Sequence, residues 1–442
     1  MRVVLVAALA SAALYAALAA AGDLSSHVPF YLGCHAGLVA LMLVAWRAVA
    51  RGGPGALRAM LIAAALFRII ALAAPPSLSD DVYRYVWDGR LQAAGHHPYK
   101  FAPSDPMRAE LRDATIYPKI NHPEIPTIYP PLAEILFAAL ALGKLGVGGF
   151  KLVFAAMDLG VVLALIKLLE VSRLPVDRAV LYAWNPLAIV EVAASGHLEP
   201  AGIVFMILAL AWLIEGRAGR AAAALGAAIQ TKLLPLILLP GFVRRMKLGA
   251  LLALAAVVLV TTAPYAARGP FYGRGVLAYA HRWEHGAVLF EGVRAAYVRA
   301  DLAPALKSAI AWAQARWGSA DPALWDALYR LVWPQELARA TVAGLALIWA
   351  IAQSFRPRVQ PADEARLALG GAILLAPTLH PWYVLWVLPL AACAASGGWL
   401  TLAALIPLQY LARDGDVPWA IRIAILAPAA AWMIRDTVRS RR

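Results

Sequence analysis

Two adjacent carboxylates, Asp80 and Asp81, stand directly after an apolar run in the stretch SLSDDVYRYVWDGRLQAAGHHPYKFAP, residues 77–103. Neighbouring anions repel, which raises the proton affinity of at least one of them. A carboxylate poised in this way suits removal of a proton from a hydroxyl. The plainer reading is a pair that caps the following helix. Tyr83, Tyr85, Trp87 and Tyr99 follow. Their faces suit stacking on a sugar ring, and equally an aromatic belt at a membrane boundary.

Further polar clusters interrupt the apolar chain. ASGHLEP (194–200) offers His197 and Glu199, although Glu199 and Pro200 also make a favourable helix start. YAHRWEHG (279–286) carries Arg282 and Trp283, and PTLHPWYVLW (377–386) carries His380 and Trp382. Cation and aromatic together suit a phosphate or a sugar, and a belt accounts for them equally well. His122 and Glu124 read as solvated loop residues. His197, Glu199 and the two aspartates are ligand types that a divalent cation accepts, but no metal spacing demands one. No metal or other cofactor is therefore expected. There is no P-loop, no GxSxG and no Cys–His zinc pattern. Cys34 and Cys393 lie in apolar stretches and read as small core residues rather than a disulfide.

The elements that must position these residues follow from composition. The chain has 442 residues, 62% hydrophobic and only 15% charged, with a mean hydropathy of +0.68. That excludes an ordinary soluble domain and predicts an all-α, polytopic integral membrane protein. The net charge of +14 sits in short loops between apolar runs, the pattern of the positive-inside rule and of contact with anionic lipids, not of a nucleic-acid surface.

Runs near 2–21, 28–46 and 57–74 are long enough to cross a bilayer core of about 30 Å. The first reads as an uncleaved span rather than a signal peptide. Arg47, Arg51 and Arg58 place the loop between the second and third spans in the cytoplasm, which puts 75–129 outside. Counting back from the basic C-terminal RDTVRSRR, over runs near 417–434, 398–411, 383–396, 366–378, 337–354 and 248–265, puts 266–336 and TLHPWY on the same outer side. Segments 130–147 and 221–240 carry Pro and Gly and read as entering the membrane without crossing, which leaves GHLEP outside. Within 266–336, DLAPALKSAIAWAQARW has the periodicity of a helix lying on the membrane surface. Asp158 is the main ionisable residue near a midplane. Polar chemistry thus collects at the outer ends of helices, which points to a reaction at the membrane surface on a lipid-borne substrate. The competing class, a lipid-linked sugar flippase or solute transporter, needs a polar path through the bilayer.

The residues DVYRY (81–85), GHHPY (95–99) and YPPLAEILF (129–137) resemble the first outer loop of GT-C glycosyltransferases. WNPLAIVEVAASGHLEP, AAIQTKLLPLILLP and TLHPWYVLWVLPL continue the resemblance over nearly the whole chain. It is closest to bacterial polyprenol-phosphate-mannose-dependent mannosyltransferases and the related glycosyltransferase family 87. The resemblance implies a single transmembrane glycosyltransferase domain over 1–442 in the bacterial plasma membrane, acting on its extracytoplasmic side. It implies transfer of a sugar, mannose by the closest relatives, from a polyprenyl-phosphate donor to a lipid or glycan hydroxyl, with inversion. Asp81 would be the base, Asp80 its tuning neighbour and Glu199 a supporting acid. Arg84, Tyr85, Tyr99, His197, Arg282, Trp283, His380 and Trp382 would bind substrate. GT-C enzymes usually carry one span before the catalytic loop; three precede it here, which reads as two additional N-terminal helices.

Overall fold

A computed structural model describes residues 1–267, 273–318, 321–357, 359–412 and 415–439; the last three residues of RDTVRSRR lie outside them. The described chain is all helix and turn, with no strand. The first three helices, α1 (Arg2–Ala20), α2 (Val28–Ala50) and α3 (Gly53–Ala71), pack together. Pro29 and Pro54 sit in the first turns of α2 and α3, where a missing N–H costs nothing. Among the described residues six helices are long and apolar enough to cross a membrane: these three, with α2 counted from Leu24, and Val147–Val171, Leu248–Ala266 and Pro334–Ser354. Their outward faces carry Leu9, Ile62, Leu259 and Val260, each about seven-tenths exposed, as a chain solvated by lipid requires. A continuous apolar core runs from Val4 to Ala429.

Between α3 and the next long helix lies a long connection, opened by α4 (Asp81–Ala93) and closed by α5 (Pro131–Leu142). At 12 residues α5 is about 18 Å long, too short to cross by itself. It lies tightly against α4: a Cβ at Gly89 would sit 2.4 Å from the carbonyl oxygen of Phe137. Helix α6 (Val147–Val171) follows and carries Asp158. Asp158 is bound by Arg68 at 2.6 Å and by the Tyr182 hydroxyl, a satisfied buried pair that holds helices together.

Three expected spans differ from the reading of the sequence. Run 366–378 is the end of a 15-residue helix, Pro361–Leu375. Run 383–396 is a 3-10 turn, Pro381–Trp386, followed by the short helix Leu388–Ala394. Run 398–411 is the helix Gly397–Leu405 passing into a 3-10 turn at Pro407. Prolines break the i→i−4 ladder in these segments, and irregular backbone is tolerated because Val384–Leu388 is fully buried in protein rather than facing lipid. Segment 221–240 likewise leaves the helix Ala218–Thr231 at Lys232 and continues as a 3-10 turn, Leu234–Leu238. The helix expected within DLAPALKSAIAWAQARW forms over Ala303–Trp317, and none of its side chains is buried in the protein.

Candidate active site

Asp81 is the first residue of α4 and Asp80 its cap. Both face a cavity of about 670 Å³, which Asn121, Lys232, Tyr279, Arg282 and Trp283 also line. Asn121 donates to Asp80 Oδ1 at 2.6 Å, turning that carboxylate toward the loop. Burial, then the charges of Asp80 and Glu199, push the Asp81 carboxyl up to about 7. Asp80 is also raised, chiefly by burial.

The second polar segment arrives from the far side of α4. Residues 176–195 run as short 3-10, α and π turns, nearly all buried, and end at Gly196. Gly196 has φ +85°, and a Cβ there would meet Val82 and Lys151 at 3.0 Å. That left-handed turn, which only glycine adopts without strain, brings His197 against Asp81. His197 Nδ1 lies 3.6 Å from Asp81 Oδ2 and 3.9 Å from Glu199 Oε2, and Nε2 lies 3.4 Å from Glu191 Oε2. Glu199, buried, forms an ion pair with Lys232. Lys232 Nζ in turn lies 4.5 Å over the Tyr383 ring, whose hydroxyl is bonded to that of Tyr279.

The third wall comes from the two late segments 279–286 and 377–386. His285 N donates to Pro377 O at 3.1 Å and Leu379 N to His285 O at 2.7 Å, a short backbone pairing that docks 285 against 379. It produces a ladder of four rings. His285 stacks on His380 at 4.4 Å, His380 on Trp382 at 4.3 Å and Trp382 on His197 at 4.1 Å, with interplanar angles of 23°, 7° and 22°. Burial lowers the proton affinity of His285, His380 and His197, so neutral rings stack without charge repulsion. A second cavity of about 920 Å³, which Asp23, Lys119 and Tyr410 help to line, shares Asp80, His285, His380 and Trp382 with the first. The first cavity has an apolar side as well, from Leu233, Leu234, Ile373 and Ala376.

Of the residues singled out by sequence, Asp80, Asp81, Arg84, Arg282, Trp283, His380 and Trp382 line the first cavity. Arg84 is held by Asp88, Nε to Oδ2 at 2.9 Å, with Nη2 left without a partner. Arg282 is two-thirds exposed and touches Glu124 at 3.9 Å. His197 and Glu199 stand directly behind Asp81. Tyr85 and Tyr99 do not line the cavity. Tyr85 stacks on Phe137 at 4.9 Å and meets Tyr129 edge-on. Tyr99 donates to Tyr129 O at 2.8 Å and packs on Tyr265. Tyr85 thus faces the α4–α5 seam, and Tyr99 packs toward the helix Leu248–Ala266.

Reading the sequence missed Lys232, Asn121, Glu191, Tyr279 and Tyr383. Lys232 and Glu191 carried a usable signal, since each is a lone charge in an apolar segment. Among the described residues no three His, Cys, Asp or Glu side chains are arranged to hold a metal ion.

The arrangement joins a carboxylate of raised proton affinity, a cation near it, aromatic rings and an apolar flank. Comparison with known proteins adds to this. Residues 2–248 match the model of the alpha-(1->6)-mannopyranosyltransferase N-terminal domain, and 335–435 match the MptB C-terminal domain. A probable alpha-(1->6)-mannopyranosyltransferase of Mycolicibacterium smegmatis is 25% identical over 377 residues, covering 75% of this chain and 65% of the relative's own length. No solved structure matches.

Proposed function

Because the chain belongs to the alpha-(1->6)-mannopyranosyltransferase family, we propose that it transfers a mannosyl group from a polyprenyl-phosphate donor to a hydroxyl of a glycan or lipid acceptor, without a cofactor. In this reading the site faces the extracytoplasmic side of a bacterial plasma membrane.

The observation that carries the mechanism is Asp81, raised to about 7 at the end of a cavity with both a cation and an apolar side. A base that titrates near neutrality accepts the proton of an attacking hydroxyl efficiently. The acceptor oxygen bonds to the anomeric carbon as the carbon–phosphate-oxygen bond breaks, and its proton passes to Asp81. Back-side attack inverts the anomeric centre, so an α product requires a β-configured donor. The leaving polyprenyl phosphate is stable as an anion and needs no proton, so positive charge serves it better than an acid does. Lys232, the unpartnered Nη2 of Arg84 and the exposed Arg282 are the cations at hand. The polyprenyl chain would leave along Leu233, Leu234, Ile373 and Ala376, and the ring of Trp283 would bind a sugar face, with the edge of Trp382, whose two faces are covered by His197 and His380, beside it.

The test is purified protein in detergent with β-mannosyl polyprenyl phosphate and an α-mannoside acceptor, following free polyprenyl phosphate and the linkage formed. Asp81→Asn should remain in the membrane fraction and lose about 10²–10⁴ in kcat, the usual worth of a general base. Full turnover in that variant removes Asp81 from the base role. A wild-type protein that moves the lipid-linked sugar without releasing polyprenyl phosphate would instead be a transporter.

A further inference from the structure

Glu191 has no place in the mechanism above, yet it is fully buried 3.4 Å from His197. Proton counting around His197 says what it does. The ring is buried, and both desolvation and the charge of Lys232 lower its proton affinity, so it is neutral and carries one N–H. Nδ1 faces two carboxylates, Asp81 at 3.6 Å and Glu199 at 3.9 Å. With an ionised Asp81, the form the base requires, Nδ1 is the nitrogen that must hold the hydrogen. Nε2 is then a bare lone pair 3.4 Å from Glu191 Oε2, and both atoms are buried with no other hydrogen-bond partner.

A lone pair facing an anionic oxygen in a buried site is two acceptors with no donor, an arrangement that costs free energy. A hydrogen on Oε2 removes the conflict. The surroundings of Glu191 agree. The Tyr410 hydroxyl donates to Oε1 at 2.7 Å, which leaves Oε2 for His197. Tyr31 packs edge-on to Tyr410 with ring centroids 6.0 Å apart and brings no charge. The charges that act on Glu191 are those of Asp81 and Glu199, both negative.

We propose that Glu191 works as a protonated carboxylic acid that fixes His197 in the Nδ1–H tautomer facing Asp81. It is a positioning residue: it gains and loses no proton in turnover, and the acceptor's proton ends on Asp81. The 3.4–3.9 Å separations are longer than ordinary hydrogen bonds, and catalytic contacts of this kind tighten in a Michaelis complex. The inference rests on the reading of Asp81 as the base.

Two measurements test it. Glu191→Gln places an N–H where the acid has its O–H, so kcat should stay within about threefold of wild type. Glu191→Ala, with no donor, should lose about tenfold or more in kcat at unchanged KM, the scale of one buried hydrogen bond. Equal losses in both variants would mean that the anion is needed and would overturn the proposal. Separately, ¹⁵N-histidine NMR of the wild-type chain, with the His197 signal identified by its loss in His197→Gln, should show the Nδ1–H tautomer at neutral pH. An Nε2–H tautomer or an imidazolium refutes the proposal. This second readout needs no turnover, so a protein that transfers no sugar counts against the proposed function and leaves the tautomer question answerable.

Discussion

Trp382 lies flat on His197, ring centroids 4.1 Å apart, and its other face carries His380 at 4.3 Å. The ladder therefore couples the late segment 377–386 to Asp81 through a single imidazole. A stacked aromatic pair is worth about 0.5–1.5 kcal/mol beyond its buried area. Trp382→Phe keeps a ring between the two histidines and should change kcat by less than about threefold. Trp382→Ala frees the face of His197 and should cost about tenfold in kcat, since 1.4 kcal/mol is a factor of ten. Steady-state kinetics of the two variants at saturating donor decide this; equal rates would show that the stack holds nothing the reaction uses.

The proposed base role of Asp81 predicts a pH profile. Asp81 is pushed up to about 7, by burial first and by Asp80 next. As the proposed base it would work ionised, so turnover should fall as pH drops through about 7. Asp80→Asn removes the nearest like charge, which lowers the proton affinity of Asp81. The acid limb of kcat against pH should therefore move to lower pH in this variant. A limb that stays in place, or moves upward, would separate Asp80 from the tuning of Asp81.

Tyr85 shows where reading the sequence stops. It stands four residues after Asp81, on the same face of an ideal helix, and spacing alone pairs it with the site. In the fold, α4 is buried on nearly every side from Val82 to Gly89, and Gly89 lets α5 close over that face. Tyr85→Phe should therefore retain activity, losing about 1 kcal/mol of stability with its hydroxyl. Tyr85→Ala should lose about 3–5 kcal/mol through the cavity it leaves, seen as lower thermal stability in detergent. If Tyr85→Phe is inactive yet stable, the ring takes part in chemistry after all.

The first three helices and the polar segments were legible because each is a local property: apolar length, charge placement, a carboxylate out of keeping with its neighbours. Asp81, His197 and Trp382 could each be marked in this way, but their meeting could not. It depends on the left-handed turn at Gly196 and on the backbone pairing of His285 with Leu379, which bring together segments far apart in sequence. Spans broken by Pro381, Pro389 and Pro407 were misread because hydropathy sums over a window and does not register a lost hydrogen bond.

Lys232 and Glu199 form a pair whose two functions can be separated. Glu199 is buried, so Lys232→Met leaves an uncompensated charge, at a cost of about 3–5 kcal/mol. It also removes positive charge beside the leaving phosphate, for about 10²–10³ in kcat. The double variant Lys232→Met with Glu199→Gln removes the stranded charge, so thermal stability should return toward wild type. Activity should not return, because the cation is still absent. Recovery of both together would assign Lys232 a purely structural part.

Gly196 tests whether the turn, rather than any side chain, delivers His197. Alanine at φ +85° is strained, at about 1–2 kcal/mol for a left-handed backbone. Its Cβ would also press on Val82 and Lys151 at 3.0 Å, a contact that the start of α4 can relieve only by moving. Val82 adjoins Asp81, so relief of the clash shifts the base relative to His197. Gly196→Ala should therefore lose more in kcat, about tenfold or beyond, than its loss of stability alone would cause at a temperature where it is still folded. The measurement is kcat and thermal unfolding on one preparation. A destabilised variant with wild-type kcat would show that the approach of His197 to Asp81 survives without the turn.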